Sequence, residues 1–266
     1  MSSGPIGIFD SGLGGLTVTK AIRSRLPGES LLYFGDTARV PYGNKSPALV
    51  REYALDIARF LVDRGAKTLV VACNTASALA LDHLQSALTI PVIGVIEPGV
   101  EAALATTKTN RIGVIGTVAT IRSNAYQHLL KARRSSVQVV GQPCPLFVPL
   151  VEEGWLQDEV TRLVAEKYLS RMAIGDLDTL ILGCTHYPLL KPLLQSVVDG
   201  KTTLVDSAET VADRLVRELD RNALNAPSRQ QGKLDIFVTD TPAQFESVAR
   251  RFLGHPLENV SLVHLS

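Results

Sequence analysis

Thr68-Leu-Val-Val-Ala-Cys73-Asn-Thr75 and Thr179-Leu-Ile-Leu-Gly-Cys184-Thr-His186 read almost as copies of each other. Each is an apolar, β-branched run that ends in a cysteine and passes at once into small polar residues. That is the pattern of a strand buried on both faces and stopped at a turn. The same unit recurs outward from these two. Short apolar runs at residues 6–9, 31–34, 92–96, 111–115, 137–140, 203–205 and 234–238 alternate with stretches of helical period such as 16–26 and 48–62. Ser46-Pro47 supplies a cap and a first-turn proline where the second of these stretches begins. Strand–helix alternation with nearly continuous apolar strands predicts an α/β fold of parallel sheets covered by helices.

The count of strands favours two sheets over one. Gly7-Ile-Phe-Asp-Ser11 and Gly113-Val-Ile-Gly-Thr117 resemble each other as first strand and loop of two related halves, each placed well before its half's cysteine strand. Glu97-Pro98-Gly99 reads as the turn where the chain first crosses between halves, and Asp206-Ser207-Ala208 as the return. The expected architecture is therefore two pseudo-symmetric lobes, each a mainly parallel sheet flanked by helices. Residues 1–97 with the tail 207–266 form one lobe and 98–206 the other. Ligands of such sheets bind at the carboxyl ends of the strands, here in the cleft between the lobes.

Composition narrows the function. The 266 residues are 45% hydrophobic and 20% charged, with net charge +1, so no basic field draws nucleic acid or an anionic membrane. No apolar run approaches a membrane span, and the first residues lack the pattern of a secretory leader. Three cysteines without a C-x-x-C argue against a disulfide framework and point to a reducing cytoplasm. The five histidines show no zinc spacing, so no metal is expected.

A single strand-end cysteine is most simply a small buried hydrophobe. Two in equivalent positions of two repeats are not explained that way. A thiol at the amino end of each following helix, read at 75–87 and 188–198, is expected to have a lowered pKa. Facing thiols suit proton transfer at both faces of one carbon. Cys144, in Pro143-Cys-Pro145, has no counterpart and reads as structural.

Asp10 opens Asp10-Ser-Gly-Leu-Gly-Gly15, whose amides could hold an anion. It is not a dinucleotide fingerprint, because Thr17 stands where a third glycine is needed and Asp36 follows Gly35 into a loop. Pro41-Tyr-Gly-Asn-Lys-Ser46 is a turn on the same side of the sheet. Ser11, Thr117 and Thr120 offer hydroxyls after the two first strands, suited to a carboxylate. Asn74, Thr75 and Thr185 adjoin the cysteines, and His186 is placed to orient or protonate a group near Cys184. Glu152, in Glu152-Glu153-Gly154, reads by itself as a solvated charge.

Taken together, Gly7-Ile-Phe-Asp-Ser-Gly-Leu-Gly-Gly-Leu-Thr17, Tyr33-Phe-Gly-Asp36, Pro41-Tyr-Gly43, Ala72-Cys-Asn-Thr-Ala-Ser77, Gly116-Thr117 with Ala119-Thr120, Pro149-Leu-Val-Glu152 and Gly183-Cys-Thr-His-Tyr-Pro188 resemble the cofactor-independent aspartate/glutamate racemase family, and within it the members acting on glutamate. The resemblance implies interconversion of L- and D-glutamate by Cys73 and Cys184 as two proton donor/acceptors. It implies that Asp10 assists Cys73, and that Glu152 and His186 assist Cys184. Substrate contacts are implied at Asp10, Ser11, Tyr42, Gly43, Asn74, Thr75, Thr185 and His186, to which position alone adds Pro41, Thr117 and Thr120. It further implies no cofactor, a cytoplasmic role supplying D-glutamate for peptidoglycan, and a homodimer as a family-level expectation. Two other readings stand beside it: a racemase of the same family acting on aspartate or a hydantoin, and a two-lobed amino-acid binding protein, which would need no paired thiols.

Overall fold

The computed structural model describes residues 4–172, 177–198, 200–226, 231–241, 245–257 and 259–265. In chain order the elements are β1 (Ile6–Asp10), α1 (Leu16–Arg25), β2 (Leu31–Gly35), α2 (Pro47–Asp63), β3 (Thr68–Val71), α3 (Asn74–Ala87), β4 (Val92–Gly94) and α4 (Ile96–Thr106). They continue with β5 (Arg111–Gly116), α5 (Val118–Arg122), α6 (Ala125–Arg133), β6 (Gln138–Pro143), α7 (Phe147–Glu153), α8 (Glu159–Leu169), β7 (Thr179–Gly183), α9 (Lys191–Val197), β8 (Thr203–Asp206), α10 (Ser207–Arg221), β9 (Leu234–Val238), α11 (Phe245–Leu253) and β10 (Val260–Leu262).

The strands form a six-stranded sheet in the order β10-β9-β2-β1-β3-β4 and a four-stranded sheet in the order β6-β5-β7-β8. All their pairings are parallel. The likeness of the two cysteine strands has a structural counterpart. β1 lies between β2 and β3, with Ile6 opposite Leu31 and Thr68, and β5 lies between β6 and β7, with Ile112 opposite Val139 and Thr179. The tail strands β9 and β10 extend the first sheet beyond β2.

Strand alternation assigns the side chains to two layers. Ile6, Ile8 and Tyr33 pack with Leu16, Val18 and Ile22 of α1 and with α10 and α11, whereas Phe9, Phe34 and Val71 pack with Val50, Ile57 and Leu61 of α2. The first of these clusters runs on into Phe147, Val151, Leu180 and Leu193, so one continuous core passes beneath both sheets. No described helix is long and apolar enough to cross a membrane.

Three local readings differ from the structure for definable reasons. Glu97-Pro98-Gly99 is not a turn but the first turn of α4, where a proline forfeits no helical hydrogen bond. The helix read at 188–198 is divided into a 3-10 turn, Tyr187–Leu190, and α9, because Pro192 has no N–H for the turn before it. β10 escaped notice, being three exposed residues at a sheet edge. Residues 222–233, a polar stretch by composition, include 227–230, which lie outside the described residues. The cap at Ser46 is observed, its side chain accepting from Leu49 N–H.

At the amino ends of the strands, opposite the cysteines, Lys67 and Glu29 form a buried ion pair of 2.5 Å, their side chains 2% and 4% exposed. The second Glu29 oxygen accepts from the Ala226 amide at 2.6 Å, which ties the tail to the first sheet. Lys67→Met strands the carboxylate away from water and is expected to lower unfolding free energy by about 3–5 kcal/mol in urea titration. Glu29→Gln in the same chain should restore part of that loss.

Candidate active site

Parallel strands present their carboxyl ends together, and the two sheets do so toward each other. β3 ends at Val71, two residues before Cys73, and β7 ends at Gly183, immediately before Cys184. Both cysteines line one cavity of about 260 Å³, small by the standards of drug-sized ligands and suited to a compact polar molecule. Ser11, Pro41, Tyr42, Gly43, Asn74 and Thr75 line it from the first sheet's loops. Thr117, Glu152, Thr185 and His186 line it from the second's, with Gly12, Val40, Val148 and Pro149 completing the wall. A larger hollow of about 550 Å³ lies on the outer side of α1, α10 and α11, and neither cysteine reaches it.

Two expected contacts are not on the wall. Asp10 is fully buried behind it, its Oδ2 accepting the Gly12 amide at 3.0 Å and its Oδ1 facing Thr185 Oγ1 at 3.5 Å. The anion held by the glycine loop is therefore the Asp10 carboxylate itself. Burial pushes that carboxyl up, while His186 and the amides of Gly12, Gly15 and Ser11 oppose the shift. Thr120 is 1% exposed and closes a triangle of hydroxyls with Thr75 and Thr117, at 3.2 and 3.0 Å, behind the cavity. Thr75 and Thr117, from the loops of different sheets, meet at 2.9 Å.

Two glycines serve close approach between the loops of the two sheets. A Cβ on Gly14 would lie 2.4 Å from Thr185 Oγ1 and 2.6 Å from His186 Nδ1, and one on Gly43 would lie 2.9 Å from Thr117 Cβ. Thr17 Oγ1 donates to the Thr185 carbonyl at 3.2 Å, a second bond over the same seam.

The two sulfurs occupy unequal surroundings. Cys73 caps α3, its Sγ accepting from the Ala76 amide at 3.4 Å and lying 3.6 Å from Ser11 Oγ. The expected lowering of its pKa is overturned. Burial, reinforced by the Asp10 charge, pushes the Cys73 thiol up to about 12 against the favourable Ala76 and Ser11 contacts. Cys184 is followed by the 3-10 turn rather than an α-helix. Its companion is His186, with Nδ1 3.9 Å from Sγ and Nε2 3.0 Å from Glu152 Oε1. Burial disfavours the imidazolium, but its bonds to Cys184 and Glu152 prevail and push His186 up to about 10.

Asn74 Oδ1 accepts a 2.6 Å bond from the Tyr126 hydroxyl, while its buried Nδ2 has no protein partner among the described residues. The Tyr42 hydroxyl is committed to Asp36 at 2.5 Å, so Tyr42 offers the cavity its ring and backbone. Cys144 is buried, and its carbonyl accepts from Tyr187 at 2.8 Å.

Sequence reasoning missed Arg251 and Phe252 of α11. Arg251 donates to the carbonyls of Val151, at 3.0 Å, and Glu152, at the carboxyl end of α7. There a cation complements the unsatisfied carbonyls. Phe252 meets the His186 ring edge-to-face at a centroid distance of 5.0 Å. Neither was legible, because both come from the tail, far along the chain from the residues they hold.

The family model for Asp/Glu/Hydantoin racemase matches residues 6–215. A glutamate racemase from Geobacter metallireducens (strain ATCC 53774 / DSM 7210 / GS-15) is 56% identical over 261 residues, covering 98% of this chain and 96% of that one. The crystal structure of glutamate racemase from Francisella tularensis subsp. tularensis SCHU S4, in complex with D-glutamate, superposes with a TM-score of 0.94 at 40% identity, covering 100% of this chain and 99% of that one. Another, of glutamate racemase from Thermus thermophilus in complex with beta-chloro-D-alanine, gives 0.90 at 47% identity, covering 99% and 98%. With the match running through both cysteine strands, the chain belongs to the Asp/Glu/Hydantoin racemase family.

Proposed function

We propose that the protein is a glutamate racemase that interconverts L- and D-glutamate by proton transfer at Cα, with Cys73 and Cys184 as the two bases. The observation that carries this reading is that both cysteines line one cavity, each delivered by the equivalent strand of a different sheet. The names borne by its relatives supply the substrate. The two lobes, in this reading, are residues 1–97 with 207–266 and residues 98–206.

Racemisation removes the α-proton to one sulfur as the other sulfur delivers a proton to the opposite face. One sulfur must therefore be thiolate and the other thiol at the start of each turnover. Cys73, with its thiol pushed up to about 12, suits the donor role, and Cys184, beside the cationic His186, suits the base. The reverse reaction starts from the opposite inventory. Asp10 near Cys73, and the Glu152–His186 pair near Cys184, are the groups that redistribute the proton. The substrate ammonium stays protonated and withdraws charge from the carbanion. The Asn74 amide and the hydroxyls of Ser11, Thr75 and Thr117 take its carboxylates, in a site already organised for them. The product serves peptidoglycan synthesis in the cytoplasm.

L- and D-glutamate have equal free energy, so kcat/KM must be equal in the two directions for every variant. Cys73→Ser and Cys184→Ser are each expected to lower it by roughly 10²–10⁴-fold with the fold retained by circular dichroism, while the parent protein racemises glutamate far faster than aspartate. Normal rates in either variant would contradict the two-thiol reading.

His186 at about 10 keeps its proton through neutrality and loses it as pH rises through that value. Activity is expected to fall on the alkaline side near pH 10. Glu152→Gln removes one of the partners that hold the proton on His186, so the alkaline limb of the pH–kcat/KM profile should move to lower pH.

A further inference from the structure

We propose that Tyr126 is a positioning residue for substrate binding: its hydroxyl orients the Asn74 amide so that Nδ2 faces the cavity and meets a substrate carboxylate oxygen. The inference rests on the reading of Asn74 as a carboxylate contact.

Asn74 is the first residue of α3, directly after Cys73, and lines the cavity while being only 2% exposed. An asparagine amide can turn over, presenting a carbonyl or an NH₂ to the same space with almost no change of shape. In a site for a dicarboxylate the difference is decisive, because a carbonyl repels the ligand that an NH₂ attracts. Tyr126 breaks the degeneracy. Its hydroxyl, 3% exposed as a residue, donates to Asn74 Oδ1 at 2.6 Å. Burial, with the charges of Cys184 and Asp206, pushes the phenol up, so it stays a neutral donor. Turned over, the amide would donate to the Tyr126 oxygen instead, and the buried phenolic proton would have no acceptor while a carbonyl faced the cavity. In the observed arrangement the orphan is instead Nδ2, which has no protein partner among the described residues. A buried donor left without a partner beside a cavity is what a site reserves for its ligand.

The ring of Tyr126 is held as firmly as its hydroxyl. It comes from α6, in the half that carries Cys184, and its edges run past two glycines. A Cβ on Gly183 would stand 3.2 Å from Cε2, and one on Gly99 would stand 3.5 Å from Cε1. Gly183 precedes Cys184 and Asn74 follows Cys73, so this one side chain touches the neighbour of each cysteine.

The test is Tyr126→Phe, which keeps the ring and removes only the hydroxyl, together with Asn74→Ala and the double variant. Initial-rate racemisation of L- and of D-glutamate should show Tyr126→Phe raising KM about tenfold for both enantiomers with kcat little changed, the mark of lost uniform binding. Asn74→Ala should raise KM at least as much, and adding Tyr126→Phe to it should have no further effect. If Asn74→Ala leaves KM unchanged, the reading of Asn74 as a carboxylate contact fails, and this inference with it. If Asn74→Ala raises KM but Tyr126→Phe does not, or if the two effects multiply in the double variant, the orienting role of Tyr126 is overturned and the contact stands.

Discussion

Two sulfurs carried by separate sheets must address the same small volume, and most of the structure follows from that constraint. Each sheet is parallel and places its cysteine just past the carboxyl end of a strand flanked by the first strand of its half. A parallel sheet gathers polar loop ends on one edge, so two such edges turned toward each other enclose a polar cavity without any special loop. Above the core the two sheets share, a thin seam of polar contacts joins the edges. Thr185 takes part in two of them, toward Asp10 and Thr17, and Thr75 with Thr117 forms a third. At Gly14 and Gly43 the loops of the two sheets come too close for a side chain.

The near-symmetry of the backbone does not extend to the electrostatics. Cys73 lies among neutral donors with a buried carboxylate behind it, an arrangement that keeps the proton on sulfur. Cys184 lies beside an imidazole whose other nitrogen is anchored on Glu152. That anchor is itself braced from outside, by Arg251 on the end of α7 and by Phe252 against the imidazole. One sulfur is thus biased toward thiol while the other has an imidazole 3.9 Å away, the inequality that the proposed exchange of protons at one carbon calls for. The repeated strand arrangement supplies the geometry, and the departures from it supply the charge.

The strands and the layering were legible because buried parallel strands leave continuous apolar runs that no surface element imitates. The wall of the cavity was nearly all legible too, since it consists of the residues that end those strands: Ser11, Asn74, Thr75, Thr117, Thr185 and His186. Positions whose meaning depends on distant partners were read less well. The glycine loop looked like an anion site, and its amides turn out to hold Asp10. Cys73 looked like an activated thiol at a helix end, but desolvation outweighs a single amide at 3.4 Å. Tyr126, Arg251 and Phe252 carry no local signal at all, because each acts on a residue that only folding brings near. Pro98 and Pro192 punctuate helices rather than end them, a distinction set by their position within the first turn.

The most direct measurement of the central claim is the isotope at Cα during the first turnovers of L-glutamate in deuterated water. With two thiols acting from opposite faces, D-glutamate formed at early times carries solvent deuterium, while the L-glutamate still present retains protium, because the base that takes its proton is not the acid that supplies the new one. D-glutamate that retains the original proton, or deuterium accumulating in the remaining L-glutamate as fast as in the product, would mean a single base serving both faces. Either result would contradict the account.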